Sequence, residues 1–177
     1  MGGSPSIQVP VCECSRIDDL PYKVYEAAEK GHLSIISQYL REKGHVNAAY
    51  KQETMLHAAC KNGRENVVHF LLHKKSLCVN LRNGYNATAL MLAAENGYLE
   101  CVKHLLANNS TCKIELFCKN NEEHTAADIA HLSNHQEVAY YLTSFLQKTP
   151  PYTHSQCDKP PPYTHSQCDS SAKMPTK

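Results

Sequence analysis

The sequence predicts an all-α repeat solenoid in which pairs of short helices stack in a row between two disordered ends. A pattern that begins at Thr54 returns at Thr88 and again, with changes, at Thr125. Each copy is followed by a stretch with apolar residues at i, i+3 and i+4, which is typical of a helix with one apolar face. One such helix pair cannot bury this face alone, so several pairs must stack into a continuous core.

The start and the stop of each first helix can be placed from single residues. A threonine before an apolar run can accept a hydrogen bond from the unpaired N–H groups of a helix start. Three threonines occupy this place: Thr54, Thr88 and Thr125. A glycine or asparagine then ends each first helix, because the chain must turn there in a left-handed conformation. These residues are Gly31, Gly63, Gly97 and Asn134.

This repeated pattern of cap and helix-stop residues resembles the ankyrin repeat. Thr54, Leu56, His57 and Ala59 follow the family's Thr-x-Leu-His-x-Ala order, and Asn62-Gly63 follows its helix stop. The resemblance covers residues 22–147 and implies four repeats, at about 22–48, 49–81, 82–116 and 117–147. A leader of residues 1–21 and a proline-rich tail of residues 148–177 flank them. Less regular fingers are expected, because the family's glycine before the cap is replaced by Gln52, Asn86 and Glu123.

The resemblance implies a protein–protein interaction module that binds its partner through hairpin fingers and first helices. By position, the partner-binding residues are Tyr50, Lys51, Glu53, Lys61, Asn62, Tyr85, Ala87, Glu95, Asn96, Glu122 and His124. We expect Tyr50 and Tyr85 to be the energetic anchors, since rigid aromatic side chains often dominate interfaces. The alternative is that both tyrosines pack along the neighbouring finger.

The sequence offers no positive support for an enzyme. No local pattern places a serine or cysteine nucleophile beside a base and an orienting acid, and no phosphate-binding loop is present. We therefore predict no catalytic residues, no cofactor and no metal site. Cys60 and Cys101 are expected to be buried in the core, and His57 to link repeats by hydrogen bonding. All nine cysteines are interpreted as reduced thiols; the alternative, for a secreted chain, is four disulfides and one free thiol.

Charge and hydropathy limit which classes of partner and which cell compartments are expected. Eighteen basic and seventeen acidic residues give a formal charge of +1, which argues against nucleic acid as a partner. The longest apolar run, residues 89–94, is too short to span a bilayer, and no signal peptide opens the chain. A cytoplasmic protein is expected, with nuclear and membrane-associated locations left open. Gly2 fits an N-myristoylation site that would give membrane contact; the alternative is a flexible leader.

The tail carries a second interaction signal. Its segment Pro-Pro-Tyr-Thr-His-Ser-Gln-Cys-Asp occurs twice, at residues 150–158 and 161–169. Pro160, Pro161 and Tyr163 form a Pro-Pro-x-Tyr sequence similar to the ligands of WW domains, while a linker without a partner is the alternative. The duplicated His and Cys residues are of zinc-ligand type, but no packed frame holds them.

Asn80 is a candidate for modification. Leu72, Val79 and Asn80 fit the pattern that a cytosolic asparaginyl hydroxylase prefers in ankyrin domains. The alternative is a finger asparagine that makes a backbone hydrogen bond.

These observations favour a non-enzymatic protein-binding module, serving as an adaptor. One alternative is a stoichiometric inhibitor of a kinase or transcription factor. Another is a membrane-tethered adaptor that recruits a WW-domain ubiquitin ligase. A third is a metal-responsive protein that uses the His and Cys residues of the tail.

Overall fold

The computed structural model describes residues 19–107 and 114–148, which form helix pairs joined by short fingers. The elements are α1 (Tyr22–Lys30), α2 (Leu33–Arg41), β1 (Ala49–Tyr50), β2 (Glu53–Thr54), α3 (Met55–Lys61), α4 (Glu65–Leu72), α5 (Ala89–Glu95), α6 (Leu99–Ala107), α7 (Ala126–Leu132) and α8 (Gln136–Lys148). Each odd-numbered helix pairs with the even-numbered helix that follows it. The all-α repeat stack predicted from the sequence is confirmed.

The core lies between two rows of helices. The first helices α1, α3, α5 and α7 pack in one row, and the second helices α2, α4, α6 and α8 follow beside them. Each second helix contributes a fully buried aliphatic side chain: Ile36, Leu71, Leu105 and Leu142. The first helices carry buried alanines, which let neighbouring helices approach closely. The alanine pairs and the i, i+3, i+4 stripes therefore form one continuous core.

The three predicted N-caps are confirmed. The side-chain oxygens of Thr54, Thr88 and Thr125 each accept a hydrogen bond from the backbone N–H three residues further on. In each case the side chain at that third position also accepts from the N–H of the threonine, which completes a capping box. The returning group differs along the stack, since it is an imidazole in His57, a thioether in Met91 and a carboxylate in Asp128.

The predicted left-handed residues are confirmed as well. Gly31, Gly63 and Gly97 have φ angles of 83°, 63° and 74°, and Asn134 has 62°. The turn positions where the family uses glycine keep the same conformation with side chains present, at 69° for Gln52, 60° for Asn86 and 64° for Glu123.

Strand pairing weakens along the fingers. In the first finger, β1 and β2 pair antiparallel with Ala49 opposite Thr54, across a turn in which Lys51 and Gln52 both have positive φ. The second finger keeps a single bridge, between Arg82 and Thr88. The three fingers thus share one left-handed residue, two positions before the cap threonine, but the left-handed pair and the strand ladder belong to the first finger.

The four cysteines within residues 19–107 and 114–148 divide into two groups. Cys60 and Cys101 are fully buried, as predicted, and burial raises the pKa of Cys60 well above its usual range and that of Cys101 to about 11. Cys118 is also a buried thiol. Cys78, in contrast, is disulfide-bonded, so the interpretation of every cysteine as a reduced thiol is wrong for this residue. Disulfide formation depends on the distance between two cysteines in space, which spacing along the sequence does not give.

Candidate functional site

The fingertips and the ends of the first helices form one surface, here called the finger face. Three equivalent fingertip residues, each three positions before a cap threonine, are Lys51, Tyr85 and Glu122. All three are exposed. The finger face therefore presents a cation, an aromatic ring and an anion in the order of the stack.

The two tyrosines predicted as anchors have different surroundings. The ring of Tyr50 lies 5.3 Å from that of Tyr22 and 5.4 Å from that of Tyr25, between centroids. The Nζ atom of Lys51 lies over the same ring, 5.4 Å from its centroid. Tyr85, in contrast, is 74% exposed. Tyr50 therefore packs against a neighbouring element, helix α1, whereas Tyr85 projects into solvent.

A buried asparagine holds the backbone beneath Tyr85. Asn83 is 2% exposed, and its Oδ1 accepts hydrogen bonds of 3.0 Å from the backbone N–H groups of both Tyr85 and Ala87. The third finger repeats this arrangement, because Oδ1 of Asn120 accepts from the N–H groups of Glu122 (2.9 Å) and His124 (3.0 Å). The turns that carry Tyr85 and Glu122 are therefore each held by the side chain of a preceding asparagine.

Glu53 has most of its carboxylate engaged inside the stack. Its Oε2 accepts a 2.5 Å hydrogen bond from the hydroxyl of Tyr25, and Nδ2 of Asn83 donates to Oε1 over 3.4 Å. The Nζ atom of Lys61 lies 3.6 Å from the same Oε1, and the Glu53 side chain is 15% exposed. Burial, and next the hydrogen bond to Glu53, raise the pKa of Tyr25 above its ordinary value. Glu53 therefore links repeats as well as lining the face.

The ends of the first helices contribute a second row. Lys61 and Glu95 are the last residues of α3 and α5, and both are exposed. The neighbouring Asn62 and Asn96 each donate from Nδ2 to a carbonyl of their own helix over 2.9 Å. Their amides therefore satisfy helix ends and present only part of their surface to a partner.

Leu132 was missed by sequence reasoning. It is the last residue of α7, equivalent to Lys61 and Glu95, and it is 68% exposed. An apolar residue in an amphipathic pattern is normally assigned to the core, so the sequence pattern did not identify Leu132 as a surface residue. Alignment of its position with the two exposed charged residues is the signal that identifies it as part of the finger face.

Two other predicted residues have structural contacts. The Nδ1 atom of His57 accepts from the N–H of Thr54 over 3.2 Å, so Nε2 carries the proton and donates to the carbonyl of Ala87 over 3.3 Å. This bond links the second repeat to the finger of the third, as predicted for His57. Ala87 is 7% exposed, so its contribution at this position is the carbonyl rather than the side chain.

Asn80 makes the contact expected of a structural asparagine. Its Oδ1 accepts a 3.0 Å hydrogen bond from the backbone N–H of Glu115. Asn47, at the equivalent place one repeat earlier, accepts from the N–H of Cys78 over 2.9 Å and donates to the carbonyl of Ser76. These bonds favour the structural alternative, while hydroxylation of Asn80 stays a prediction.

Several predicted features lie outside the described residues. These are Gly2, the Pro160, Pro161 and Tyr163 motif, and the His and Cys residues of the tail. Within the described ranges, no group of three or more His, Cys, Asp or Glu side chains is arranged to hold a metal ion. In the same ranges, none of the helices has the length and apolar character needed to cross a bilayer.

Stacked helix pairs with fingers that present varied side chains define a repeat domain of the protein-binding type. A family model described as ankyrin repeats in three copies matches residues 22–83 and again residues 78–149. The chain therefore belongs to the ankyrin repeat family, whose repeats are protein–protein interaction modules.

Curated relatives share the repeats but are much longer proteins. The Oryza sativa subsp. japonica protein described as "Probable E3 ubiquitin-protein ligase XBOS33" is 40% identical over 85 residues, which cover 46% of this chain and 16% of that protein. The Caenorhabditis elegans "Ankyrin repeat and KH domain-containing protein mask-1" is 33% identical over 107 residues, or 59% of this chain and 4% of that protein. Human "Espin-like protein" is 33% identical over 70 residues, 40% of this chain and 7% of that protein. The chain thus spans less than a fifth of each relative.

Proposed function

We propose that the chain binds a protein partner through the finger face and acts by occupancy, without turning over a substrate. The observation that carries this proposal is the 74% exposed side chain of Tyr85 on a turn held by the buried Asn83. A large aromatic side chain on a preorganised backbone loses little conformational entropy on binding. Such a residue is well suited to anchor an interface.

The order of charges along the finger face indicates which chemical groups the partner presents to it. Lys51 at one end favours an acidic group, Glu122 at the other end favours a basic group, and Tyr85 between them favours an apolar or amphipathic side chain. Leu132 adds an apolar contact at the end of α7. A partner with this polarity fits in one direction along the stack.

A pair of tyrosine variants tests the proposal. Tyr85→Ala removes the finger-face anchor, while Tyr140→Ala removes a tyrosine of matched exposure, 77%, from the second helix α8. Partners captured with the wild-type chain are quantified against both variants. We expect Tyr85→Ala to weaken recovery by about 30-fold, equivalent to about 2 kcal/mol, and Tyr140→Ala to retain it. Equal losses for both variants, or none for Tyr85→Ala, would overturn the proposal.

We propose an adaptor in preference to a simple inhibitor, because the tail contains a Pro-Pro-x-Tyr sequence beside the binding domain. The similarity to a protein described as a probable ubiquitin ligase is compatible with recruitment of a ligase, and it covers only 16% of that protein. Tyr163→Ala should abolish capture of a WW-domain protein while the finger-face partner is retained. Full activity of a chain truncated after Leu146 would instead favour the inhibitor.

Membrane tethering through Gly2 is a separate part of the adaptor proposal. Its support is the N-terminal Met-Gly-Gly-Ser-Pro-Ser sequence. The intact mass of the chain after expression in a eukaryotic lysate, compared with that of Gly2→Ala, tests it directly. A wild-type mass without an acyl group would remove tethering and leave the binding function untouched.

A further inference from the structure

A second surface lies away from the finger face, between the C-terminal parts of the second helices α2 and α4. A groove of about 410 Å³ opens there, and its floor includes Leu40, Val46 and Phe70. Val46 is 6% exposed, and Leu40 and Phe70 are half-buried against the core. The groove is therefore a depression with a fixed apolar floor that belongs to two successive repeats.

Two cations share the lining of the groove with these apolar residues. Arg41 and Lys74 line the groove, and no acidic side chain does so. The Nζ atom of Lys74 lies 4.0 Å from the centroid of the Phe70 ring, so the ammonium group is held over the floor. The acid next to Arg41 in sequence, Glu42, accepts a 2.9 Å hydrogen bond from Gln38 and is not part of the lining.

Helix polarity alone does not account for this arrangement. Cations near the ends of α2 and α4 complement the partial negative charge of those ends, which explains their sign. It does not explain why apolar side chains from two repeats line the same groove. A groove lined by apolar side chains and two cations, without an acid, complements a ligand that carries carboxylates beside an apolar side chain.

We propose that this groove binds an acidic peptide segment of a partner protein, with an apolar side chain between Leu40 and Phe70 and carboxylates beside Arg41 and Lys74. The site is independent of the finger face, so one chain can hold two protein ligands at once. This gives the repeat domain its own bridging capacity, without any contribution from the tail.

A defined peptide tests the proposal on the full-length chain. The probe is acetyl-Glu-Asp-Leu-Glu-Asp-amide, and its neutral analogue is acetyl-Gln-Asn-Leu-Gln-Asn-amide. Each is titrated into ¹⁵N-labelled protein to about 5 mM, because affinities near the millimolar range are expected for so short a ligand. We expect saturable amide shifts centred on Leu40, Val46 and Phe70 with the acidic peptide, and at least fivefold weaker binding of the neutral one.

Charge variants supply the specificity control. Arg41→Gln and Lys74→Gln should each weaken binding by about two- to fivefold, the range for a partly exposed ion pair, while Lys74→Arg should retain it. Lys23→Gln removes an exposed cation of α1 and should leave the affinity unchanged. Tyr85→Ala should also leave it unchanged, which separates this site from the finger face.

Three results of the peptide titrations would overturn the inference. They are equal binding of the acidic and neutral peptides, shifts centred on the finger face, and equal weakening by Lys23→Gln and Lys74→Gln. Groove shifts that grow with protein concentration in the absence of peptide would instead assign the groove to a second copy of the chain, and would equally contradict the proposal.

Discussion

The hydroxyl of Tyr25, in the first helix pair, donates a 2.5 Å hydrogen bond to Oε2 of Glu53, in the first finger. The other oxygen of the same carboxylate, Oε1, lies 3.4 Å from Nδ2 of Asn83 in the second finger and 3.6 Å from Nζ of Lys61. One carboxylate thus connects three successive repeats. In a linear stack, where each repeat contacts only its neighbours, such a link couples units that would otherwise open separately.

Removal of the Tyr25 hydroxyl should destabilise the stack. In Tyr25→Phe the ring stays, and Glu53 loses one hydrogen-bond donor in a poorly solvated place. We expect the free energy of unfolding to fall by about 1–2 kcal/mol, measured by urea denaturation. Tyr140→Phe removes a hydroxyl from a 77% exposed ring and is the control. A Tyr25→Phe chain as stable as this control would mean that water replaces the lost donor.

The same contact predicts a loss of stability in alkali. Burial and the hydrogen bond to Glu53 raise the pKa of Tyr25 above its ordinary value of 10.0. The unfolded chain releases this proton at a lower pH than the folded chain does. The stabilisation is therefore complete below about pH 10 and declines as pH rises above it. Burial also raises the pKa of Tyr39, so Tyr25→Phe should reduce the slope of the decline without removing it.

Urea midpoints at about pH 8, 9, 10 and 11 measure this slope for the wild type, Tyr25→Phe and Tyr140→Phe. Parallel curves for all three proteins would show that the Tyr25 proton is not linked to folding.

Local features of the fold were predictable from the sequence because a few adjacent residues determine them. Thr54, Thr88 and Thr125 cap helices through backbone groups only three residues away. Gly63 and Asn134 stop helices through their own φ preferences. The repetition of these signals at similar spacing was sufficient to indicate the stack.

The exposure of individual site residues was not predictable, because it depends on neighbours distant in sequence. Position alone could not distinguish Tyr50, which contacts Tyr22 and Tyr25, from the exposed Tyr85. The Glu53 network joins residues about thirty positions apart, and Leu132 is apolar yet exposed. Repeat periodicity indicates which surface a residue lies on, but not which side chains are already engaged there.

At acid pH, the free energy of unfolding depends in part on the capping box formed by Thr125 and Asp128. Oδ2 of Asp128 accepts from the hydroxyl (2.7 Å) and the backbone N–H (2.9 Å) of Thr125. The side-chain hydrogen bond, and next the backbone one, lower the pKa of Asp128 below 3.8. The unfolded chain therefore takes up this proton at higher pH, so the stabilisation present above about pH 4 is lost as pH falls.

Asp128→Asn keeps an acceptor oxygen but removes the titration, so we expect a flatter decline in the urea midpoint between about pH 4 and 2. Glu95→Gln, which removes an exposed carboxylate from the end of α5, is the control. Identical slopes for wild type and Asp128→Asn would exclude this linkage.

Glycine at the third fingertip should stabilise the protein. Glu123 has a φ of 64°, which costs a residue with a side chain roughly 1–2 kcal/mol. Glu123→Gly removes that cost. Against this gain, the freer unfolded chain lowers the free energy of unfolding by about 0.5–1 kcal/mol. Loss of the exposed ion pair to Lys119 lowers it by at most about 0.5 kcal/mol more. We expect a net gain of about 0.5 kcal/mol. The neighbouring Glu122→Gly, where φ is not left-handed, should instead destabilise, and a gain in both would contradict the explanation.

Gly63 is constrained both by its backbone and by the next repeat. Its φ is 63°, and a Cβ atom there would lie 2.6 Å from Cδ1 of Tyr98. The equivalent Gly31 has a φ of 83°, but its nearest neighbour would be Cδ of Arg64, at 3.4 Å on a flexible side chain. Gly31→Ala should therefore cost about 1–2 kcal/mol for the backbone alone, and Gly63→Ala about 2–4 kcal/mol, because overpacking is added.

The excess in Gly63→Ala should disappear when Tyr98 is truncated. In a double-mutant cycle with Tyr98→Ala, we expect the cost of Gly63→Ala to fall to that of Gly31→Ala, since only the backbone term remains. Unfolding free energies of the three variants and the wild type, from urea denaturation, close the cycle. If the cost of Gly63→Ala were the same with and without the Tyr98 ring, the close contact between these two repeats would not be what requires glycine at this position.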